Sequence, residues 1–280
     1  MLPYVDHLPS THSLPDMAFS RGQPTWGEHL ADVLESLCSL HDPSTIAAVI
    51  LEPVAGSAGV LIPPVGYLEK IRSICDKHGI LLIFDEVICG FGRTGAAFGT
   101  EKFDVSPDML TVAKGLTNAV VPGGAVIMRE KIYNGVMEGP DKGNIELFHG
   151  YTYSGHPLSM VAGLATLEVY KEQRLFENAA NLASYWEDLL HGLKGLSSNI
   201  VDVRNFGLMG AVEFKVAENR MFGARAMDVF DRCFQKGLLA RATGQTVALS
   251  PPLVSTKEDL SKMIEILSES IVESDREFRN

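Results

Sequence analysis

With 280 residues, 46% apolar and 21% charged, the chain has material for one large domain or two ordinary ones with their own cores. Its formal charge of -11 argues against a polyanion as the main partner, because nucleic-acid affinity comes from clustered Lys and Arg. No stretch approaches the roughly 18 apolar residues of a spanning helix, and Cys38, Cys75, Cys89 and Cys233 form no CxxC pair, so neither a zinc site nor a disulfide framework is suggested. The expectation is a cytoplasmic protein with reduced thiols, acting on a small molecule, with no nucleic-acid or membrane partner.

The first 25 residues hold four prolines and read as an irregular lead-in. From about Gly27 to Leu40, GEHLADVLESLCSL has helical spacing, and AAVILEP (47–53) follows as a short strand. GYLEKIRSICDKHG (66–79) is an amphipathic helix closed by glycine. ILLIFDEV (80–87), MLTVAKG (109–115) and GGAVIM (123–128) supply three more strands. Strands and helices in this order predict right-handed crossovers and a largely parallel sheet. Beyond Pro157 come two long helical patterns, at about 158–171 and 175–193, then a hairpin-like pair at 200–214. A helix near 223–236, short strands around 238–250 and a final helix from about 257 complete a smaller α+β unit. The expected division is a large domain over 1–157 and a small one over 158–280.

Two charged residues stand at strand ends. Asp85 closes the run ILLIF, and Lys114 lies 29 residues later in VAKGL, between an apolar run and a glycine. Each has an ordinary explanation, since a strand-end Asp often caps a turn and a lone Lys is usually solvated. If the strands are parallel neighbours, however, both side chains emerge at the carboxyl edge where open α/β sheets bind ligands. A carboxylate facing an amine there suits the Schiff-base chemistry of pyridoxal phosphate, with Lys114 binding the carbonyl and Asp85 keeping the ring nitrogen protonated. HGYTYSGHP (149–157) offers the Thr152 and Ser154 hydroxyls before a helix, suited to an anion or to an ordinary N-cap.

LEPVAGSAGVLIPPVGYL, LLIFDEVICGFGRTG, PDMLTVAKGL and HGYTYSGHP, in that order, resemble the class III (omega) aminotransferases, which are fold-type I pyridoxal-phosphate enzymes. The resemblance implies an α/β fold, with an incomplete, mostly parallel sheet in the large domain and a small α+β C-terminal domain. It implies pyridoxal 5'-phosphate as cofactor, Lys114 as the catalytic residue, Asp85 on the ring nitrogen and Val87 against a ring face. Thr152 would reach the cofactor phosphate of the partner subunit of a homodimer. Ile88 and Ser57 stand where ornithine- and 4-aminobutyrate-type members have Gln and Glu, and Ala248 where they have Arg. Loss of that Glu and that Arg together is coherent, because one alone would leave a charge buried and unpaired. Arg241 matches the carboxylate-binding arginine of the beta-alanine:pyruvate and amine:pyruvate branch. The implied reaction passes an amino group from an omega-amino acid or amine to pyruvate, giving alanine. The resemblance also implies that an N-terminal portion found in the family, with its own phosphate loop, lies outside this sequence. The chain is then a piece of a longer enzyme, half of a split pair, or a remnant without independent catalysis.

Rival chemistries are weaker. Gly90, Gly92 and Gly95 match GxGxxG, but a nicotinamide fingerprint needs a helix starting at those glycines and an acidic residue about 20 positions on. His7, His12, His149 and His156 show no HExxH spacing, and no GxSxG elbow occurs.

Overall fold

The computed structural model describes residues 4–138, 147, 149–218 and 220–278. In the lead-in, α1 (Leu14–Met17) is a single turn with Pro15 near its start and Met17 buried. A 3-10 turn over Glu28–Ala31 runs into α2 (Asp32–His41), which turns Leu34 and Cys38 inward. β1 (Ala48–Leu51) and α3 (Tyr67–His78) follow. The buried residues of α3, Tyr67, Leu68, Ile71, Ile74 and Cys75, form one stripe at helical spacing. Gly79 ends the helix with φ 70°, its N–H bonded to the Cys75 carbonyl, a conformation that spares a Cβ.

β2 (Leu81–Asp85), α4 (Gly99–Phe103), β3 (Met109–Val112) and β4 (Ala125–Met128) complete a sheet in the order β1-β2-β3-β4. β1, β2 and β3 are parallel, and Asp85 lies opposite Thr111. β4 departs from the parallel expectation and runs antiparallel to β3. A parallel return needs a crossover of a dozen or more residues, usually through a helix. Here the connection holds only a 3-10 turn at Lys114–Leu116 and bends, so the chain doubles straight back.

After α5 (Glu130–Glu138), the long helices α6 (Pro157–Glu172) and α7 (Leu175–His191) lead to a second sheet. Its strands are β5 (Ile200–Phe206), β6 (Met209–Phe214), β7 (Arg241–Thr243) and β8 (Thr246–Leu249), ordered β5-β6-β8-β7 and wholly antiparallel. α8 (Ala224–Gln235) and α9 (Lys257–Glu277) cover it together with α7. Thr256 caps α9 in a reciprocal box with Asp259.

Two apolar cores result. One gathers Leu68, Ile71, Leu82 and Phe84 beneath the first sheet, and the other Trp186, Leu190, Phe214, Leu260 and Leu267. Each large side chain so buried contributes about 1.5–3 kcal/mol. The cores interlock, since Phe206, Met209, Ala211 and Ala248 of the second sheet enter the first core, and Phe91 and Val112 enter the second. Elsewhere the covering is partial, and α6 exposes Leu158, Val161 and Leu164. Among the described residues no helix is long and apolar enough to cross a membrane. All four cysteines are free and buried.

Candidate active site

Parallel pairing of β2 with β3 brings Asp85 and Lys114 to the same sheet edge. Asp85 Oδ1 accepts the Val87 N–H at 3.0 Å, which turns the chain sharply after the strand. Its second carboxylate oxygen has no protein partner among the described residues and is not sealed from solvent. Lys114 opens the 3-10 turn after β3 with φ 41°, and its ammonium has no hydrogen bond or ion pair among the described residues. Glu52, just past β1, reports on both: burial raises its pKa, the Gly56 N–H at 3.1 Å opposes this, Asp85 raises it further and Lys114 lowers it. The two groups therefore act on one neighbourhood. An open carboxylate and a free amine at adjoining strand ends are the donor set a pyridoxal ring requires, and these residues fit that cofactor.

A cavity of about 560 Å³ opens there. Val87, Lys114 and Arg241 line it, with Ser57, Ile88 and Ala248. Asp85 is not among the lining residues, and Thr152 lies outside the cavity in an exposed turn. Capping of α6 differs from the simple Ser/Thr expectation. His156 Nδ1 accepts the Leu158 N–H at 3.2 Å, while Ser154 Oγ accepts from Tyr151 N at 3.2 Å. The Thr152 hydroxyl is thus left without a capping role among the described residues.

The cavity wall also concentrates unusual backbone. Of ten non-glycine residues with positive φ among the described residues, Val60, Phe91, Lys114, Asn118 and Ala119 all line it. Left-handed conformations at residues with a Cβ cost energy and persist where surrounding structure imposes them, commonly at functional sites. Residue identities alone give no sign of this clustering.

GFGRTG forms a compact set of turns, closed at its base by Glu86. The Glu86 carbonyl accepts from Gly90 N at 2.9 Å, and its carboxylate accepts from Thr100 N at 3.0 Å. Fully buried, Glu86 has its pKa raised, chiefly by burial, against the lowering effect of the Gly99 and Thr100 amides. At the tip, the Arg93 carbonyl accepts from Leu208 N at 3.1 Å, in the turn between β5 and β6. Gly207 permits this approach, since a Cβ there would lie 2.6 Å from the Arg93 carbonyl oxygen. The next helix, α4, starts only at Gly99, so the glycines do not open the helix that a nicotinamide fingerprint needs.

The opposite wall is set by register. Arg204 pairs with Ala211, Ala211 with Ala248 and Ala248 with Arg241, one row running across β5, β6, β8 and β7. Of this row Ala248 and Arg241 line the cavity, and the small Ala248 side chain leaves space that a longer one would fill. Arg204 is buried and braces the row. Its Nε donates to the Gly59 and Val60 carbonyls at 2.9 and 3.2 Å, and its Nη1 to Asp202 and Glu213 at 2.7 and 2.6 Å. The loop that carries Ser57 and Val60 is thereby tied to the second sheet. His12, Asp202 and Glu213 place potential metal ligands within 4.8 Å of one another, but the Arg204 guanidinium already holds both carboxylates.

The family profile described as aminotransferase class III matches residues 3–271. An omega-aminotransferase of Caulobacter vibrioides is 57% identical over 267 residues, covering 95% of this chain and 60% of that protein. A beta-alanine–pyruvate aminotransferase of Pseudomonas aeruginosa is 45% identical over 269 residues, with 95% and 59% covered. An amine transaminase from an uncultivated Pseudomonas species, solved in the PLP-bound form, superposes with a TM-score of 0.82 at 34% identity, covering 88% of this chain and 56% of that one. The chain thus spans about three-fifths of the length of the curated relatives it matches. Profile, relatives and fold concur: the chain belongs to the class-III aminotransferase family.

Proposed function

We propose that the chain carries the cofactor and substrate groups of a pyridoxal-phosphate-dependent transaminase, which moves an amino group from an omega-amino acid or amine, beta-alanine-like, to pyruvate and so forms alanine. The observation that carries this reading is the convergence of Asp85 and Lys114 from adjoining parallel strands, with Lys114 free in a cavity of about 560 Å³. When bound, pyridoxal phosphate supplies an electron sink for the carbanion formed at the substrate carbon. Lys114 Nζ would hold the cofactor at its carbonyl and would be the base that moves a proton at the substrate carbon. The open Asp85 oxygen would hold the proton on the ring nitrogen through a charge-assisted bond, stronger than a neutral one. Val87 supplies an apolar surface for one ring face. Arg241, exposed at the start of β7, offers a planar fork for a substrate carboxylate.

Thr152 has a different place in this reading. Exposed and outside its own chain's cavity, it would serve the phosphate bound by a second subunit. The apolar face of α6, with Leu158, Val161 and Leu164, would pack within that homodimer. We further propose the domain division at Pro157, with 1–157 holding the cofactor and 158–280 closing over it.

A second reading is favoured by the three-fifths span and by the uncovered apolar residues of α6 and the first sheet. In it, the chain binds the cofactor but needs a further segment for turnover. One experiment separates the two. The chain is incubated with pyridoxal phosphate, reduced with borohydride and peptide-mapped, and alanine formation from beta-alanine and pyruvate is measured alongside. A label on Lys114 with turnover supports the first reading, and a label without turnover supports the second. Absence of a Lys114 label sinks both.

A further inference from the structure

The glycine-rich loop brings to the cavity one more charged group than the proposed reaction uses. Arg93 lines the same wall as Lys114, Tyr170 and Leu253. Its backbone is pinned by Leu208, and its Nη1 donates to the Pro251 carbonyl at 2.5 Å. Nε and Nη2 donate to no protein group among the described residues, and neither is sealed from solvent. No carboxylate lies within ion-pair distance of it among the described residues, whereas Arg72, Arg204, Arg225 and Arg232 each have one. Burial lowers its pKa and Tyr170 partly opposes this, but a guanidinium stays protonated at any ordinary pH. A charge drawn out of water without a counter-ion is unfavourable, and an anion entering the cavity would relieve that cost.

Substrate chemistry supplies the anion, if the transaminase reading holds. In beta-alanine the amine-bearing carbon is separated from the carboxylate by a methylene, whereas in pyruvate the reacting carbon bears the carboxylate directly. One cavity must therefore accept carboxylates at two distances from Lys114. Arg241 alone would have to move between them. We infer that Arg93 is a second carboxylate-binding group, so that Arg93 and Arg241 form two anion subsites in one cavity. The bond to Pro251 holds the fork in place and leaves its free edge for the ligand.

The test uses the chain loaded with pyridoxal phosphate and propionate as the probe, with propionamide as its uncharged counterpart. Phenylglyoxal labelling of Arg93, resolved by peptide mapping, should slow in propionate and not in propionamide. In calorimetry, Arg93→Gln should weaken propionate binding at one subsite by roughly 10- to 100-fold, the worth of a charge-assisted hydrogen-bond pair. Arg93→Lys should restore part of that loss, which a purely structural tie to Pro251 would not. Labelling of Arg93 that ignores propionate, or an Arg93 that phenylglyoxal never reaches, overturns the inference even if the variants fail to fold. The companion label on Lys114 keeps the two ideas apart: Lys114 labelled with Arg93 unprotected sinks this inference alone, and Arg93 protected without a Lys114 label sinks only the transaminase reading.

Discussion

The two sheets differ in how completely they are covered. In the second, β8 is buried along its whole length, and β5 and β6 lack full burial only at Val201 and Glu213. In the first, β1 leaves Ile50 61% exposed and β4 leaves Val126 55% exposed, although Phe84 at its centre is fully buried. The first sheet carries Asp85 and Lys114 at its strand ends, while the second supplies Arg241 and Ala248 to the cavity wall. The proposed cofactor groups and the best-covered strands thus lie on different sheets, which the interlocking cores, Arg204 and the bond from Leu208 N to the Arg93 carbonyl join.

The sharpest way to break that comparison is Lys114→Ala. All borohydride-stable label at that position should vanish while the melting temperature hardly moves, because Lys114 is exposed and has no partner among the described residues. A collapse in stability would show that the two roles are not separated. Next in size, Arg204→Gln should destabilise by about 3–5 kcal/mol in urea unfolding, since Asp202 and Glu213 would keep buried charges without their partner. A matched pair then measures the contrast directly. Val203→Ala, fully buried on β5, should cost about 2 kcal/mol, and Ile50→Ala on the open strand under about 0.5 kcal/mol. Equal costs would mean that the first sheet is better covered than its exposure suggests.

The smallest effect depends on pH. Burial holds the Glu86 pKa above the ordinary carboxylate range. A raised carboxylate pKa means that the folded state retains its proton longer than the unfolded one, so this stabilisation is present at low pH and is lost as pH rises through the folded value. Glu86→Gln keeps an acceptor for the Thr100 amide and removes the ionisation. Its melting temperature should fall less than that of the unsubstituted chain as pH rises from the ordinary carboxylate range towards neutrality. Identical pH profiles would place the titration elsewhere.

Much of this was legible in the sequence where the signal is local. Apolar runs located all four strands of the first sheet, and helical spacing located α3, α6, α7, α8 and α9 to within a few residues. Asp85 and Lys114 stood out because charged residues at the ends of apolar runs need a reason. What escaped depends on distant partners. The reversal of β4 follows from a connection without a helix, and the brace from Arg204 to Gly59 joins residues 145 apart in the chain. Arg93 illustrates the limit of a motif: GFGRTG marks the family, but only the packed structure shows that this arginine has no carboxylate beside it among the described residues.

Five left-handed residues around one cavity have a consequence for how this protein could be toughened. Glycine at Val60, Phe91 or Asn118 would relax the backbone, yet it would also strip the side chains that give the wall its shape. Heat resistance gained there would be taken from the pocket's definition, so an engineer seeking a hardier protein should work on the helices behind the second sheet and leave those bends alone.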